Sequence, residues 1–202
     1  LAVASQSIPS FLQTGRFGLS INSLTTSFNY GDLNVEQETH RQGFKGLRAG
    51  FTYQARVGSG SFIVPELYFA LKGGLLKGAN SLTTTKSTLR LYSVEAPLLA
   101  WVRCDNLYFN AGPYAAYKLG GGSKTEGLEA LPESTAKISF RNAPGNFQRW
   151  DYGVQAGAGY DFNLMKSPLA LDVRYGYDLV NISISVGRYN RILTIGLKIT
   201  RP

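Results

Sequence analysis

The sequence predicts an all-β protein, an eight-stranded antiparallel up-and-down transmembrane β-barrel, from three observations. Apolar residues alternate with polar or small residues along almost the whole chain, which is the period of a β-strand. The polar side of this alternation carries charges of both signs together with glycines, as expected of a barrel with lipid outside and a polar filling inside. Long and short connections alternate along the chain, so neighbouring strands are expected to be antiparallel.

The first half of the chain contains four predicted strands, at 16–29, 46–57, 63–72 and 88–103. In the first three strands one face is apolar, beginning with Phe17, Leu47 and Ile63. The other face is polar or small in the first two strands, and in the third it combines Glu66 and Lys72 with Val64, Tyr68 and Ala70. The fourth strand is less regular, because its inward positions include Leu91, Leu99 and Trp101 as well as polar residues. A β-bulge that shifts the phase would account for this pattern.

The second half contains the other four, at 107–118, 147–162, 169–181 and around 193–199. Each alternates in the same way, and the strand at 147–162 pairs aromatic or apolar outward positions with aspartate, glutamine and glycine inward. No stretch approaches the roughly 18 consecutive apolar residues that a membrane helix requires. The sequence therefore predicts membrane crossing by strands.

The connections indicate which end of the barrel is which. Tight turns are predicted at 58–60, 105–106 and 163–168, and long loops at 30–43, 74–87 and 120–146, with a briefer fourth loop near 186–187. In bacterial outer membranes the turns face the periplasm and the loops face outward, so this location is predicted. Residues 1–14 are expected to be a periplasmic lead-in and 15–202 the barrel. An aromatic girdle is predicted near the loops from Tyr30, Tyr92, Tyr117, Trp150 and Tyr152.

The inward charges are predicted to plug the barrel. Eight strands enclose a space only wide enough for side chains, so these charges are expected to pair with one another. The predicted network comprises Arg48, Glu66, Glu95, Lys118, Asp151, Asp172 and Arg174. Pairing across the turn at 105–106 sets Glu95 opposite Ala116 and diagonal to Lys118. Pairing across 163–168 sets Gly159 opposite Asp172 and Gly157 opposite Arg174, small beside large.

The net charge of +8 is concentrated toward the predicted loops. The segments 30–45, 72–90, 118–149 and 178–191 hold 13 Lys or Arg and 7 Asp or Glu, which leaves +6 on that side. Lys72, Lys77, Lys86 and Arg90 form a basic group without an acid among them. Two interpretations stand: contact with the phosphates of lipopolysaccharide, or an ordinary solvated basic loop.

Catalysis is not expected, and neither is a cofactor or a metal. His40 is the only histidine, and a Ser/His hydrolase would need it beside a rim serine such as Ser20 or Ser23. A solvated loop histidine is the favoured interpretation. Glu66 and Glu95 have the chemistry of an acid–base pair, but structural pairing with the predicted basic neighbours is favoured. Cys104 is the only cysteine and is expected to be an inert thiol.

Four short motifs in the predicted strands resemble landmarks of a known family. They are Pro65-Glu66-Leu67-Tyr68, Glu95-Ala96-Pro97-Leu98-Leu99, Ala111-Gly112-Pro113-Tyr114 and Asp151-Tyr152-Gly153-Val154. Together they resemble the PorT-like outer-membrane β-barrel family over roughly residues 15–200. The resemblance implies a small eight-stranded outer-membrane barrel, and some members of that family belong to the type IX protein secretion system while others have no assigned role. One departure is Ile199, which holds the outward position where such barrels usually carry an aromatic residue.

Several functions are compatible with this fold. The first is a structural or accessory component of an outer-membrane protein assembly, such as a secretion or transport machine, with other outer-membrane or periplasmic proteins as partners. The second is a stand-alone barrel whose loops bind lipopolysaccharide or an external ligand. A surface enzyme is disfavoured for lack of a catalytic constellation, and no nucleic acid is expected as a partner. A soluble lipocalin-like binder is the alternative fold, and it would require the apolar face to point inward.

Overall fold

The computed structural model describes residues 15–29, 41–42, 44–76, 87–125, 134–137, 148–162, 168–179 and 189–201. These residues form ten strands: β1 (Arg16–Asn29), β2 (Arg41–Gln42), β3 (Phe44–Gly58), β4 (Ser61–Leu76), β5 (Ser87–Cys104), β6 (Leu107–Thr125), β7 (Ser134–Lys137), β8 (Trp150–Phe162), β9 (Leu169–Asp178) and β10 (Tyr189–Arg201). Eight of them are long, and β2 and β7 are short additions. Within these ranges no segment is a helix of the length and apolarity needed to cross a membrane.

The eight long strands close into an antiparallel barrel. Each pairs with the next long strand along the chain, and β1 completes the circle because it pairs with both β3 and β10. Closure satisfies the backbone hydrogen bonds of every long strand and leaves no sheet edge within the wall, which a lipid environment requires. The predicted eight-stranded barrel is confirmed.

The two faces of the wall differ as the alternation predicts. Large apolar side chains project outward and are exposed, while the intervening residues are buried in the lumen; β8 alternates exposed and buried positions from Trp150 to Ala156. The registers predicted across the two turns are also observed, with Glu95 opposite Ala116 and Gly159 opposite Asp172. A wall that is apolar outside and polar inside excludes the lipocalin-like alternative.

Aromatic side chains cluster at both ends of the wall. At the end that carries the loops, Trp150 lies between Tyr117 and Tyr152, with ring centroids 4.9 and 6.0 Å away. At the opposite end the pairs are Phe17 with Tyr53 and Tyr160 with Phe162. Such belts mark the two membrane interfaces of an outer-membrane barrel. Tyr30, also predicted in the girdle, lies outside the described residues.

The connections between strands distinguish the two ends of the barrel. The turn end contains the tight turns at 59–60 and 105–106 and the start of β1, and the loop end is opposite. Gly60 adopts a positive φ of 76° and Asp105 one of 53°, and both conformations suit tight turns. Asp tolerates this region better than most residues with a Cβ.

The three long loops predicted at the loop end differ from the observed connections. The predicted loop at 120–146 was placed too early, because Gly120, Gly121 and Gly122 continue β6 as far as Thr125. The predicted loop at 74–87 is shortened, because β4 continues to Leu76. The predicted loop at 30–43 includes β2, which pairs with the end of β4. Glycine lowers strand propensity, but continued pairing with β5 overrides that local preference in both β4 and β6.

These extensions build a small sheet beyond the barrel wall. At its tip the paired positions run across five strands, in the order Arg41, Leu76, Ser87, Thr125 and Ser134. β5 and β6 have 18 and 19 residues, whereas β9 has 10. A tilted strand crosses the hydrocarbon region with about 9–11 residues, so the ends of β4, β5 and β6 project above the membrane on one side only.

The irregularity expected in the fourth strand lies in its partner instead. β5 keeps its alternation throughout, so Leu91, Leu99 and Trp101 are buried in the lumen. The register between β5 and β6 shifts by one residue opposite Tyr92 and Ser93, and Leu119 of β6 is left without a partner there. The apolar residues of β5 are therefore interior filling and not the sign of a phase change.

Glycines make room for large side chains inside the narrow lumen. A Cβ at Gly159 would lie 2.1 Å from the ring of Tyr108, and one at Gly157 would lie 2.7 Å from the side chain of Arg174. Both distances are shorter than real carbon contacts allow. The close approach of glycine backbone to these side chains is what lets the interior hold them.

The barrel lumen and its two mouths as the candidate functional site

The lumen holds charged side chains that are buried and balanced. Among the described residues ten charged side chains are buried, five basic and five acidic. They are Arg48, Lys72, Lys118, Arg174 and Lys198 with Glu66, Glu95, Asp151, Asp172 and Asp178. The filling is therefore electrically neutral, and it divides into two groups along the barrel axis.

The group nearer the turn end, the turn-end cluster, comprises Glu66, Asp172, Arg174 and Lys198. Arg174 donates to both carboxylate oxygens of Glu66, at 2.5 and 3.1 Å, and Lys198 Nζ lies 3.2 Å from Glu66 Oε1. Arg174 Nε also lies 2.5 Å from Asp172 Oδ1. Two positive and two negative groups cancel here, and the two-pronged contact is the strongest geometry available to arginine and a carboxylate.

An aromatic layer supports the turn-end cluster. Trp101 and Tyr108 stack with ring centroids 4.3 Å apart, and Lys198 Nζ lies 3.9 Å from the Trp101 ring. The Tyr108 hydroxyl donates to Asp172 Oδ2 at 2.7 Å, and Asn110 donates to the same oxygen at 3.2 Å. Phe62, Val64, Leu99 and Ala170 complete this buried layer. The layer shields the ion pairs from the turn end and fixes their geometry.

The second group, the loop-end cluster, comprises Arg48, Lys72, Glu95, Lys118, Asp151 and Asp178. Glu95 is its centre: Lys72 Nζ lies 2.6 Å from Oε1, and Arg48 Nη1 lies 3.3 Å from Oε2. The Arg48 guanidinium also lies 4.5 Å from the ring centroid of Tyr68, a cation–π arrangement. Three positive and three negative groups cancel in this cluster.

The remaining contacts of the loop-end cluster are looser. Lys118 Nζ lies 3.7 Å from Asp151 Oδ2, beyond hydrogen-bonding distance. Nε and Nη2 of Arg48 and Oδ1 of Asp151 have no hydrogen-bond partner among the described residues. Asp178 accepts a hydrogen bond from the Tyr114 hydroxyl. A cavity of about 10 Å³ lies beside Arg48, Lys72 and Glu95.

All seven side chains predicted for the network lie in the lumen, but their pairing differs from the prediction. Glu95 was expected to pair with Lys118, and instead it contacts Lys72 and Arg48, while Lys118 faces Asp151. Neighbours across one strand pair are fixed by register, whereas contacts across the lumen depend on how far the strands are staggered around the barrel.

Lys72 was wrongly predicted to be part of the basic loop that faces lipopolysaccharide. It is 5% exposed and points into the lumen, because β4 continues to Leu76 and Lys72 shares the phase of Glu66, Tyr68 and Ala70. Lys198 and Asp178 were missing from the predicted network, although their inward phase was already visible in the alternation. Counting Lys72, Lys198 and Asp178 together with the seven predicted residues gives five basic and five acidic side chains, a neutral lumen.

The other predicted site residues lie at the loop end or outside the described residues. Arg90 is exposed on β5. Lys77, Lys86 and His40 lie outside the described residues. With Lys72, Lys118 and Asp178 moved to the lumen, the outer segments retain 11 Lys or Arg and 6 Asp or Glu, a net charge of +5. The remaining +3 of the chain comes from residues outside both these segments and the lumen.

The arrangement offers little scope for chemistry inside the lumen. Glu66 and Glu95, considered above as an acid–base pair, are each held by two cations. A cavity of about 10 Å³ is near the smallest that holds one water, so the space beside Glu95 does not admit a substrate. The part of the chain that the structure describes contains no group of His, Cys, Asp and Glu suited to a metal ion.

The mouth at the turn end is basic. Arg16, Arg56 and Arg103 line a cavity of about 270 Å³ together with Phe62. Arg103 forms an ion pair with Asp161 at 2.9 Å. At the loop end the exposed basic residues among the described ranges are Lys45, Arg90, Lys124, Arg149 and Arg191. Both mouths therefore carry positive charge around a neutral lumen.

A closed antiparallel wall with an apolar exterior, two aromatic belts and a charged, filled lumen defines an outer-membrane β-barrel protein. The family model for the outer membrane protein beta-barrel domain matches residues 6–183, and the chain belongs to this family. The protein is therefore located in the bacterial outer membrane. The narrower resemblance to PorT-like barrels stays a prediction. A comparison with curated proteins finds no match.

The chain is similar to several solved structures of outer-membrane barrels. Neisserial surface protein A is 12% identical with a TM-score of 0.50, covering 91% of this chain and 96% of that one. Ail of Yersinia pestis, solved in complex with the heparin analogue sucrose octasulfate, is 14% identical with a TM-score of 0.42, covering 93% and 99%. The N-terminal barrel domain of Pseudomonas aeruginosa OprF is 9% identical with a TM-score of 0.30, covering 92% and 99%. At 12% identity, the similarity to neisserial surface protein A shows the fold alone.

Proposed function

We propose that this protein is a non-conducting outer-membrane barrel that acts as a structural or accessory component of a larger outer-membrane protein assembly. The filled lumen carries the proposal: ten buried charges cancel, and the cavity beside Glu95 is only about 10 Å³. A barrel that passes no solute and offers no room for a substrate acts through its outer surfaces. The resemblance to PorT-like barrels, some of which belong to a secretion system, supports the same role.

The sheet extension at the loop end is a suitable surface for such contacts. The ends of β4, β5 and β6, together with β2 and β7, form backbone-paired structure above the membrane on one side of the barrel. Exposed sheet edges are surfaces to which another protein can add a strand. β2 and β7 are the outer strands of this extension, and each pairs with one strand among the described residues.

Co-purification from native membranes tests this role. After mild crosslinking and detergent extraction, we expect a defined partner to accompany the barrel, with mass spectrometry to identify it. A variant in which residues 121–146 are replaced by a short Gly-Ser turn should lose the partner. A matched variant that shortens only 180–188, on the opposite side, should retain it. Recovery of the barrel alone from crosslinked membranes would contradict the proposal, provided that heat-modifiable migration on gels shows both variants to be folded.

A second candidate function is lipopolysaccharide binding at the loop end. The supporting observation is the group of exposed cations on the outer strand ends, among them Arg90 and Arg149. Arg149 donates to the Tyr117 hydroxyl at 3.1 Å, so its charge lies directly at the aromatic belt, where lipid phosphates are located.

Charge removal tests this candidate. Replacing Lys77, Lys86 and Arg90 together by Gln should reduce the lipopolysaccharide retained through purification at low salt, because the attraction to an anionic surface is screened by salt. Replacing the buried Lys72 by Met serves as the control and should leave retention unchanged. Equal retention by the triple variant and the parent would identify the basic rim as ordinary solvated surface.

A further inference from the structure

We propose that the mouth at the turn end, the arginine cup formed by Arg16, Arg56, Arg103 and Phe62, binds an acidic peptide segment of a periplasmic partner. The cup is a cavity of about 270 Å³ within the end of the barrel. Its three arginines come from β1, β3 and β5, so the guanidinium groups surround the cavity from different strands.

The floor of the cup holds two of the arginines in place. The Phe62 side chain is buried and belongs to the aromatic layer beneath the turn-end cluster. The guanidinium carbon of Arg56 lies 5.6 Å from the Phe62 ring centroid, and that of Arg103 lies 5.1 Å from it. Cation–π contact orients the two groups beside the cavity while leaving their N–H donors available for an anion.

Among the described residues the positive charge of the cup is only partly balanced. Only Arg103 has a carboxylate partner among the described residues, Asp161, and its Nε is buried without a hydrogen-bond partner there. Neither Arg16 nor Arg56 forms an ion pair with any described residue. The adjoining segments 1–15 and 163–168 contain no Asp or Glu, and Asp105 lies exposed on the turn after β5. Excess positive charge in a concave site attracts anions.

The size and chemistry of the cup favour a peptide over a simple ion. A cavity of about 270 Å³ approaches the lower size of ligand pockets and exceeds what one phosphate or sulfate would fill. The planar guanidinium fork matches a carboxylate with two parallel hydrogen bonds. An acidic segment presents several carboxylates at the spacing of residues, which suits arginines carried on separate strands.

A lipid headgroup is a poorer match for this position. The cup lies inside the mouth, whereas Arg201, at the same end, lines the outer wall beside Phe17 and Ile199, where phospholipid packs. Arg201 is therefore the matched control residue, because it carries the same charge at the same height and lies outside the cup. The inference deepens the proposed role in an assembly and rests on it for the identity of the partner.

Peptide binding to the folded barrel tests the cup directly. In zwitterionic detergent micelles at low salt, a fluorescein-labelled tetraglutamate peptide should bind saturably by fluorescence anisotropy, and a tetraglutamine peptide should not. Arg16→Gln/Arg56→Gln should weaken binding by about tenfold or more, because hydrogen bonds to charged groups are lost. Arg201→Gln should leave the affinity unchanged, and added salt should weaken binding by the parent.

Three results would overturn the proposal. The first is equal affinity of the double variant and the parent, measured on protein whose heat-modifiable migration shows it to be folded; Arg56→Gln alone provides a second folded variant. The second is an equal loss in Arg201→Gln, which would indicate general surface charge or a lipid headgroup site. The third is displacement by inorganic phosphate at concentrations equal to those of the peptide, which would indicate a simple oxyanion site. A partner found by co-purification would remain valid in each case, so the two proposals fail separately.

Discussion

The turn-end and loop-end clusters fill the same lumen with ion pairs, but they are built differently. In the turn-end cluster Arg174 donates two hydrogen bonds to Glu66. Asp172 accepts further hydrogen bonds from Tyr108 and Asn110. In the loop-end cluster Glu95 forms close ion pairs, and Asp178 accepts a hydrogen bond from Tyr114. Lys118, however, lies 3.7 Å from Asp151. Both clusters are neutral, so the difference lies in bonding geometry and not in charge.

This difference indicates where the stability of the barrel resides. A buried ion pair stabilises only when its remaining donors and acceptors are also satisfied, because removing charges from water is costly. The turn-end cluster comes closer to that condition, because Glu66 accepts three hydrogen bonds and a stacked aromatic layer lies beside it. Arg174 Nε and Asp172 Oδ1 have no hydrogen-bond partner among the described residues, but they form a close ion pair. The loop-end cluster leaves two donors of Arg48 and the ammonium of Lys118 without a hydrogen bond to a described residue. We expect the turn-end cluster to hold the barrel closed and the loop-end cluster to contribute less.

The largest effect is expected from Glu66→Gln. The change keeps the size of the side chain but leaves Lys198 without its close carboxylate contact and Arg174 with Asp172 alone. Breaking a buried pair costs about 3–5 kcal/mol, so the free energy of unfolding should fall by that amount. Guanidinium unfolding followed by tryptophan fluorescence measures it, since Trp101 lies against Lys198. Adding Lys198→Met should recover part of the loss, and an unchanged midpoint in the single variant would contradict the account.

An intermediate effect is expected from Glu95→Ala, about 3 kcal/mol, because Lys72 and Arg48 lose their shared partner. A double-mutant cycle sharpens the test. Glu95→Ala combined with Lys72→Met should show a coupling energy of about 1–3 kcal/mol, whereas Glu95→Ala with Lys118→Met should be close to additive. Strong coupling to Lys118 would instead support the pairing inferred from the hairpin register.

The smallest effect is expected from Lys118→Met. Its removal leaves Asp151 buried without its nearest cation, so some loss is expected, but the contact of 3.7 Å is longer than those of Glu66 and includes no hydrogen bond. The free energy of unfolding, measured by urea denaturation, should fall by less than about 3 kcal/mol. A loss as large as that of Glu66→Gln would show the two clusters to be equivalent.

The sequence was sufficient to predict the strands of the wall, but not which charged side chains pair with one another in the lumen. Alternation set the inward and outward faces, and the positions of the turns set the registers at Glu95 and Asp172. The partner of Glu66 is Arg174, far along the chain and across the barrel, and no local pattern indicates which strands face each other at which height.

Lys72 illustrates a different limit. Its phase pointed inward and it is the last residue of the predicted strand 63–72, but the glycine-rich stretch that follows favoured an early end to that strand. Lys72 was therefore also grouped with the basic loop. Because β4 stays paired with β5 as far as Leu76, pairing overrides that local preference. Phase along a strand is thus more informative than loop-like composition at its end.

The sealed lumen is the central claim, and single-channel recording in planar bilayers tests it most directly. The folded protein, inserted from detergent, is expected to give no steady conductance, because neutral, paired side chains and an aromatic layer occupy the lumen. Trp101→Ala, which opens that layer, provides a comparison under the same conditions. Steady conductance of the unaltered protein at the level of a general porin would contradict the account.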